Sequence, residues 1–254
     1  MSSLVIERLT QLLASVRLAL TVDPVSGTVR IRWEKRDFDV AALPLDDLDE
    51  DAMAGELLAV AAGLEAAIKA PGRVNVPGEA LRDGVKALLP RVERGRFVAA
   101  YDAVKLGLGL GPEARLLHAP LGGGLVAVHV EDEGWKFTHF NVGRYASWDT
   151  TIGTVTSAAR SNLYHREALD HLACEVRVGD GYDAGRLVLV DDVYYDRGGP
   201  DGVEVAVPHR DLLIIAPPGG SLSRPAVRQA YDHAAYPISP AVFVSHRGSL
   251  RLAD

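Results

Sequence analysis

The chain holds a single cysteine, Cys174, so no disulfide can form within it. It lies in an alternating stretch, Leu172 to Val176, which predicts a small buried side chain on a strand rather than a nucleophile. Positive charge is also short. There are 27 lysines and arginines against 34 aspartates and glutamates, a formal net charge of −7. That balance argues against a nucleic-acid backbone or an anionic membrane as partner, since both reward a positive surface. Arg91, Arg94 and Arg96 are close together, but Glu93 interrupts them, and a solvated helix end is expected there. No apolar run approaches the ~20 residues a membrane span requires. The amino terminus shows no basic stretch leading into an apolar core with a cleavage site. The expected location is cytoplasmic.

Catalytic signatures are missing too. The sequence has no G-x-S-x-G, no H-E-x-x-H, no paired C-x-x-C and no P-loop. Gly107-Leu108-Gly109-Leu110-Gly111-Pro112 fails as a phosphate cradle, because Pro112 replaces the last required glycine and no Lys-Ser or Lys-Thr follows. It is expected to be a connection. His165 and His171 stand six residues apart and do not share a helical face, so they make a poor metal pair. No cofactor is implied.

What is present describes a globular chain of 254 residues, 48% hydrophobic and 24% charged. Apolar 3–4 spacing predicts an amphipathic helix over residues 3–20. Strands are expected at 28–33 and 37–40. A helix then follows the acidic run at residues 46–51 and extends to about Lys69. Pro71 to Pro77 marks a candidate boundary, giving a helix–hairpin–helix segment over 1–72 and a main domain over 73–254. A helix over 78–89 is expected to stop before Pro90. Strands follow at 115–120, 125–130 and 135–142, with Gly122 to Gly124 as a turn. A helix runs from Asp149-Thr150-Thr151 to about Tyr164, with Ile152, Val155, Ala159 and Leu163 inward. Strands at 203–207 and 212–217 then form a hairpin, Ser223 caps a helix with Pro225 in its first turn, and a last hairpin turns at His246 to Gly248. The fold class is α+β: mainly antiparallel sheet with helices packed on one face, and a strand–turn–strand–helix layout occurring at both 125–164 and 203–236.

One region concentrates polar groups between apolar runs: Gly179 to Leu187, followed by Val207 to Ile215. Gly179 and Gly181 permit positive φ. Asp180 is placed to accept from the Asp183 backbone N–H, with Asp183 answering, as in a capping box. Val205, Val207, Leu213 and Ile215 need burial, so Arg210 and Asp211 must pair, cap something or face a partner. If the turn and hairpin meet, Arg210 forks onto Asp180 or Asp183 while His209 faces a cleft. A buried Arg–Asp clamp is the plainer outcome, and a site built from Asp180, Tyr182, Asp183, His209, Arg210 and Asp211 is the other. Asn162 stands near the inward face of its helix, where it either bonds a neighbouring backbone group or contacts a ligand.

Three motifs, Ala159-Arg160-Ser161-Asn162-Leu163, Gly179-Asp180-Gly181-Tyr182-Asp183-Ala184 and Val207-Pro208-His209-Arg210-Asp211-Leu212-Leu213, resemble in order those of the YtpQ-type family of uncharacterised bacterial proteins. The resemblance spans roughly residues 75–240, and Gly185 stands where that family has Ser. It implies a mixed α/β domain in which the motifs matter, and no activity. Three functions stay open. The first is a non-catalytic binding or regulatory protein that contacts a protein or small ligand. The second is an enzyme whose reaction type is open, a hydrolase using an Asp/His pair being one form. The third is an assembly module that dimerises through apolar stripes at Val5–Leu20 and Leu57–Ile68. Oligomeric state is not legible.

Overall fold

The computed structural model describes residues 18–22, 29–33 and 36–40, helical positions at 59–60, 62–63 and 66–67, and residues 87–253 apart from 108, 133, 135–136, 147, 149, 167–173 and 194–200. The expected helix over 78–86, the acidic run, the boundary at 71–77 and His171 fall outside these. Contacts divide the chain into two compact units. The first comprises Met1–Val76, Arg94–Leu116 and Asn141–Ser147, and the second Pro77–Glu93, Leu117–Phe140 and Trp148–Asp254.

In the first unit, β1 (Leu18–Val22), β2 (Val29–Trp33) and β3 (Arg36–Val40) form an antiparallel meander. Leu18 pairs Trp33, and Trp33 pairs Arg36. The 28–33 and 37–40 strands are therefore where the alternation puts them. Residues 18–20 are not the end of a helix. Leu18, Leu20 and Val22 alternate with Ala19 and Thr21, a period-two pattern that also fits the tail of the apolar stripe. Helix α1 (Gly95–Gly107) went unassigned from the sequence. It buries Phe97, Tyr101 and Val104 at 3–4 spacing, and the Asp102 carboxylate accepts from the Leu116 N–H at 2.8 Å. A short helix α2 (Val142–Ala146) also belongs to this unit.

The second unit is built on a nine-stranded, mostly antiparallel sheet: β4 (Leu88–Arg94), β5 (His118–Gly122), β6 (Leu125–Asp132), β7 (Phe137–His139), β8 (Glu175–Val176), β9 (Val203–His209), β10 (Leu212–Ile215), β11 (Val242–His246) and β12 (Ser249–Leu252). Their order is β4-β6-β5-β12-β11-β9-β10-β8, with β7 paired to β6. The β5–β12 pairing is parallel, whereas β5–β6, β6–β7, β8–β10, β9–β10, β9–β11 and β11–β12 pair antiparallel. An α+β fold results.

The expectations at residues 88–89 and at Cys174 fail for local reasons. Residues 88–89 begin a strand instead of ending a helix. Pro90 sits inside that strand, which is tolerated because β4 ends the strand order and its free side needs no donor. Cys174 is exposed, because β8 begins only at Glu175. Its carbonyl still accepts from the Ile215 N–H at 2.8 Å.

Helix α3 (Ile152–Arg166) buries Val155, Ala159 and Leu163, with Ile152 left exposed. Its cap is Thr151, whose Oγ1 accepts from the Thr154 N–H at 3.1 Å. A six-residue 3₁₀ segment, Ala184–Leu189, leads into the short α4 (Val190–Val193). Val203, Val205 and Val207 pack with Leu187, Leu213 and Phe243 in the main core. Ala206, on the opposite face of β9, packs with Val242 and with Val227 of α5 (Arg224–Asp232). The Ser223 Oγ accepts from the Ala226 N–H at the start of α5, as the sequence predicts. The 3₁₀–α4 segment packs on the Val205 face, and α5 packs on the other.

Candidate functional site

The Gly179–Leu187 stretch is a turn that folds onto its own carboxylates. Gly179 and Gly181 have φ of 80° and 81°, the left-handed region in which only glycine is unstrained. The expected capping box does not form. The Asp180 Oδ1 accepts from the Tyr182 N–H at 2.9 Å, and Asp183 reaches backwards, accepting from the N–H of Val178 at 2.8 Å and of Gly179 at 3.0 Å. Asp183 precedes a tight 3₁₀ turn in place of an α-helix, so its side chain serves the entering strand.

The arginine that joins these carboxylates is Arg186. Its Nη1 and Nη2 donate to the two Asp180 oxygens at 2.9 and 2.8 Å, and Nη1 lies 3.3 Å from the Asp183 Oδ1. Arg186 and Asp183 are fully buried. A second arginine extends the network: Arg166 donates to Asp132 at 2.7 Å and lies 3.4 Å from Asp180. Its guanidinium also sits 5.1 Å from the centre of the Tyr182 ring. Burial pushes the Asp180 carboxyl up, but the Arg186 hydrogen bonds, the Tyr182 N–H and both arginine charges outweigh it and hold the group below the ordinary carboxylate range. Asp132 behaves alike, its burial outweighed by the Gly134 N–H and by Arg166. Burial, with the Asp132 charge beside it, pushes the Tyr182 phenol up.

The hairpin does meet this turn, through backbone. The Ala184 N–H donates to the Arg210 carbonyl at 3.0 Å. The Arg210 side chain goes elsewhere: its guanidinium lies 3.7 Å from the centre of the Tyr236 ring, and its Nε is 3.6 Å from Asp211. The proposed fork of Arg210 onto Asp180 or Asp183 is therefore replaced. Arg186 follows Asp183 by three residues on the same turn and reaches the carboxylates without crossing the sheet. Nothing but that spacing within the sequence could have singled it out, and Asp132 and Arg166 had no local signal at all. The His209 Nδ1 accepts from the Asp211 N–H at 3.2 Å. Burial lowers its pKa, with Arg177 adding to the effect and Asp211 and Asp183 opposing it, so the ring favours the neutral form. Asn162 donates from Nδ2 to the Leu88 carbonyl at 2.9 Å, tying α3 to β4.

Gly185 has a steric duty: a Cβ there would lie 2.5 Å from the Pro90 carbonyl oxygen. The serine of the resembling family would not fit without a shift of β4. Beside it, Arg91 is buried rather than solvated, 3.4 Å from Glu93 and 4.5 Å from the centre of the Phe137 ring. The expected solvated helix end is thus a buried strand segment at Arg91. Desolvation lowers the Arg91 pKa and raises that of Glu93.

Two clefts lie near this junction, and His209 lines neither. A cleft of about 330 Å³ opens between the 3₁₀–α4 segment and the β11–β12 turn, lined by Leu187, Asp191, Asp192, Ser245, Arg247 and Gly248 among others. Asp191 braces it, accepting from the Ser245 hydroxyl at 2.7 Å and from the Gly248 N–H. The Arg160–Asp192 ion pair, at 2.6 Å, borders this cleft and a more open one of about 420 Å³ lined also by Ser157 and Tyr164. Among the described residues no helix is long and apolar enough to cross a membrane. No family model, curated protein or solved structure matches the chain.

Proposed function

We propose that the chain is a non-catalytic binding or regulatory protein of the cytoplasm, and that its polar turn at 179–186 is a structural clamp. The observation that carries this reading is the state of the charged groups. Arg186 and Asp183 are fully buried, Arg186 is bonded to both Asp183 and Asp180, and none of the three lines either cleft. A general base must reach a substrate proton, and these carboxylates are committed to arginine and backbone donors. His209 spends one ring nitrogen on the Asp211 N–H. Kinship with the YtpQ-type family belongs to the same proposal. It is supported by where the three motifs sit: Asn162 ties α3 to β4, and Ala184 of the second motif donates to Arg210 of the third.

The competing reading is a hydrolase using His209 and a neighbouring carboxylate. Purified protein offered p-nitrophenyl esters and phosphates separates the two. The binding reading expects no turnover above a His209→Ala control. Turnover that His209→Ala abolishes would replace it with the enzyme.

A further inference from the structure

The cleft beside α4 carries charge of both signs, and its groups divide into those that hold the wall and those left for a ligand. Asp191 holds the wall, since its two oxygens take the Ser245 hydroxyl and the Gly248 N–H. Asp192 gives Oδ2 to Arg160 and is 58% exposed at its side chain, which leaves Oδ1 facing solvent. Arg247 is exposed on the opposite rim. The floor is apolar, from Leu187 and Leu250.

Arg247 also occupies a costly position. It and Gly248 form the two-residue turn between β11 and β12, with φ of 50° and 77°. Positive φ at both positions is the geometry that Asn-Gly satisfies most easily, and arginine there is strained. Arg247 is the only non-glycine residue with positive φ in the described backbone. A turn that would be more stable with asparagine keeps a long cation at the mouth of a cleft.

Resting on the reading of the chain as a binding protein, we propose that this cleft binds a small zwitterion of the α-amino-acid class, its carboxylate on Arg247 and its ammonium on Asp192. The two arginines and two aspartates of the lining cancel in formal charge. A lone phosphate would meet the aspartates, and a lone amine the arginines, whereas a zwitterion satisfies both rims. The volume of about 330 Å³ suits a ligand of that size.

The test is isothermal titration of the full chain with each of the twenty L-amino acids, with inorganic phosphate and butylamine as single-charge probes. At least one amino acid binds, and more tightly than either control. Arg247→Asn and Asp192→Asn each weaken that binding roughly tenfold or more, the loss expected for one charge-assisted contact. Asparagine tolerates the left-handed turn, so Arg247→Asn melts at or above the wild-type temperature, and its lost affinity then reports the guanidinium alone. The proposal is overturned if none of the twenty binds, if binding survives both substitutions, or if phosphate binds more tightly than every amino acid. A silent titration removes the cleft assignment and leaves the non-catalytic reading standing. Turnover dependent on His209 removes that reading and leaves the titration as it is.

Discussion

Asp180 receives both terminal nitrogens of Arg186, at 2.8 and 2.9 Å, and so closes a fully buried guanidinium onto the turn that precedes it. Removing one partner of such a pair strands the other charge in a low-dielectric interior. Arg186→Ala is expected to lower stability by about 3–5 kcal/mol. Arg210→Ala, which removes a partly exposed cation from the Tyr236 ring, is expected to cost about 1 kcal/mol. Urea denaturation of both variants checks the ranking, and an Arg210 variant weaker than the Arg186 variant would move the clamp back to the hairpin.

Gly185 leaves no room for a side chain against the Pro90 carbonyl. Gly185→Ser is therefore expected to destabilise by about 1–3 kcal/mol, the usual range for forcing atoms into a packed site. A melting temperature unchanged by this substitution would mean that β4 can shift freely there.

Asn162 makes a side-chain bond to the Leu88 carbonyl that α3 and β4 share. Asn162→Ala is expected to cost about 1 kcal/mol. Hydrogen exchange at β4 should rise in the variant more than at β11, since the lost bond anchors only the former.

His129 is buried in β6, and burial, with His118 nearby, lowers its pKa to about 4, against a weaker pull upward from the Leu117 backbone. The unfolded ring titrates near 6.5. The folded state therefore resists protonation: the stability tied to His129 is complete above pH 6.5 and falls as pH drops from 6.5 towards 4. The loss reaches up to about 3 kcal/mol. Asp132 and Asp180, held below the ordinary carboxylate range, lose their contribution only at lower pH. Melting temperatures measured from pH 7 to 4 should decline less steeply in His129→Leu than in the wild type, the remaining slope coming from groups such as His209, whose pKa burial also lowers. Parallel curves for the two proteins would assign the acid sensitivity elsewhere.

Much of the second unit was legible because its signals are local. Val203, Val205 and Val207 alternate, Pro208 stands near a strand end, and Ser223 with Pro225 announces a helix start, each within a few residues. The last hairpin is written the same way, by Arg247-Gly248 between two apolar strands. Local signals are ambiguous where one pattern serves two structures. Leu18 to Leu20 fits both a helical stripe and an alternating strand, and Leu88-Leu89-Pro90 looks like a helix meeting its breaker although it is an edge strand. Helix α1 carries Phe97, Tyr101 and Val104 at helical spacing, but its start is hidden among the arginines at 91–96.

The candidate site divides along the same line. The meeting of the 179–187 turn with the 209–211 hairpin was readable from apolar runs that had to bury around polar groups. Which arginine would close it was not. Arg186 and Arg210 carry the same charge, and only their paths decide: one rides a 3₁₀ turn back towards Asp180, while the other is turned onto Tyr236. By itself, then, the chain determined the hairpins at 203–215 and 242–252 and the helix start at Ser223, because those follow from neighbours in sequence. Tertiary structure alone decided the Asp132–Arg166–Asp180 network, the Asp191 brace and the cleft. Their partners lie 34 to 57 residues apart, or 14 in the Arg166–Asp180 case, and meet only when the sheet has set the distance between them.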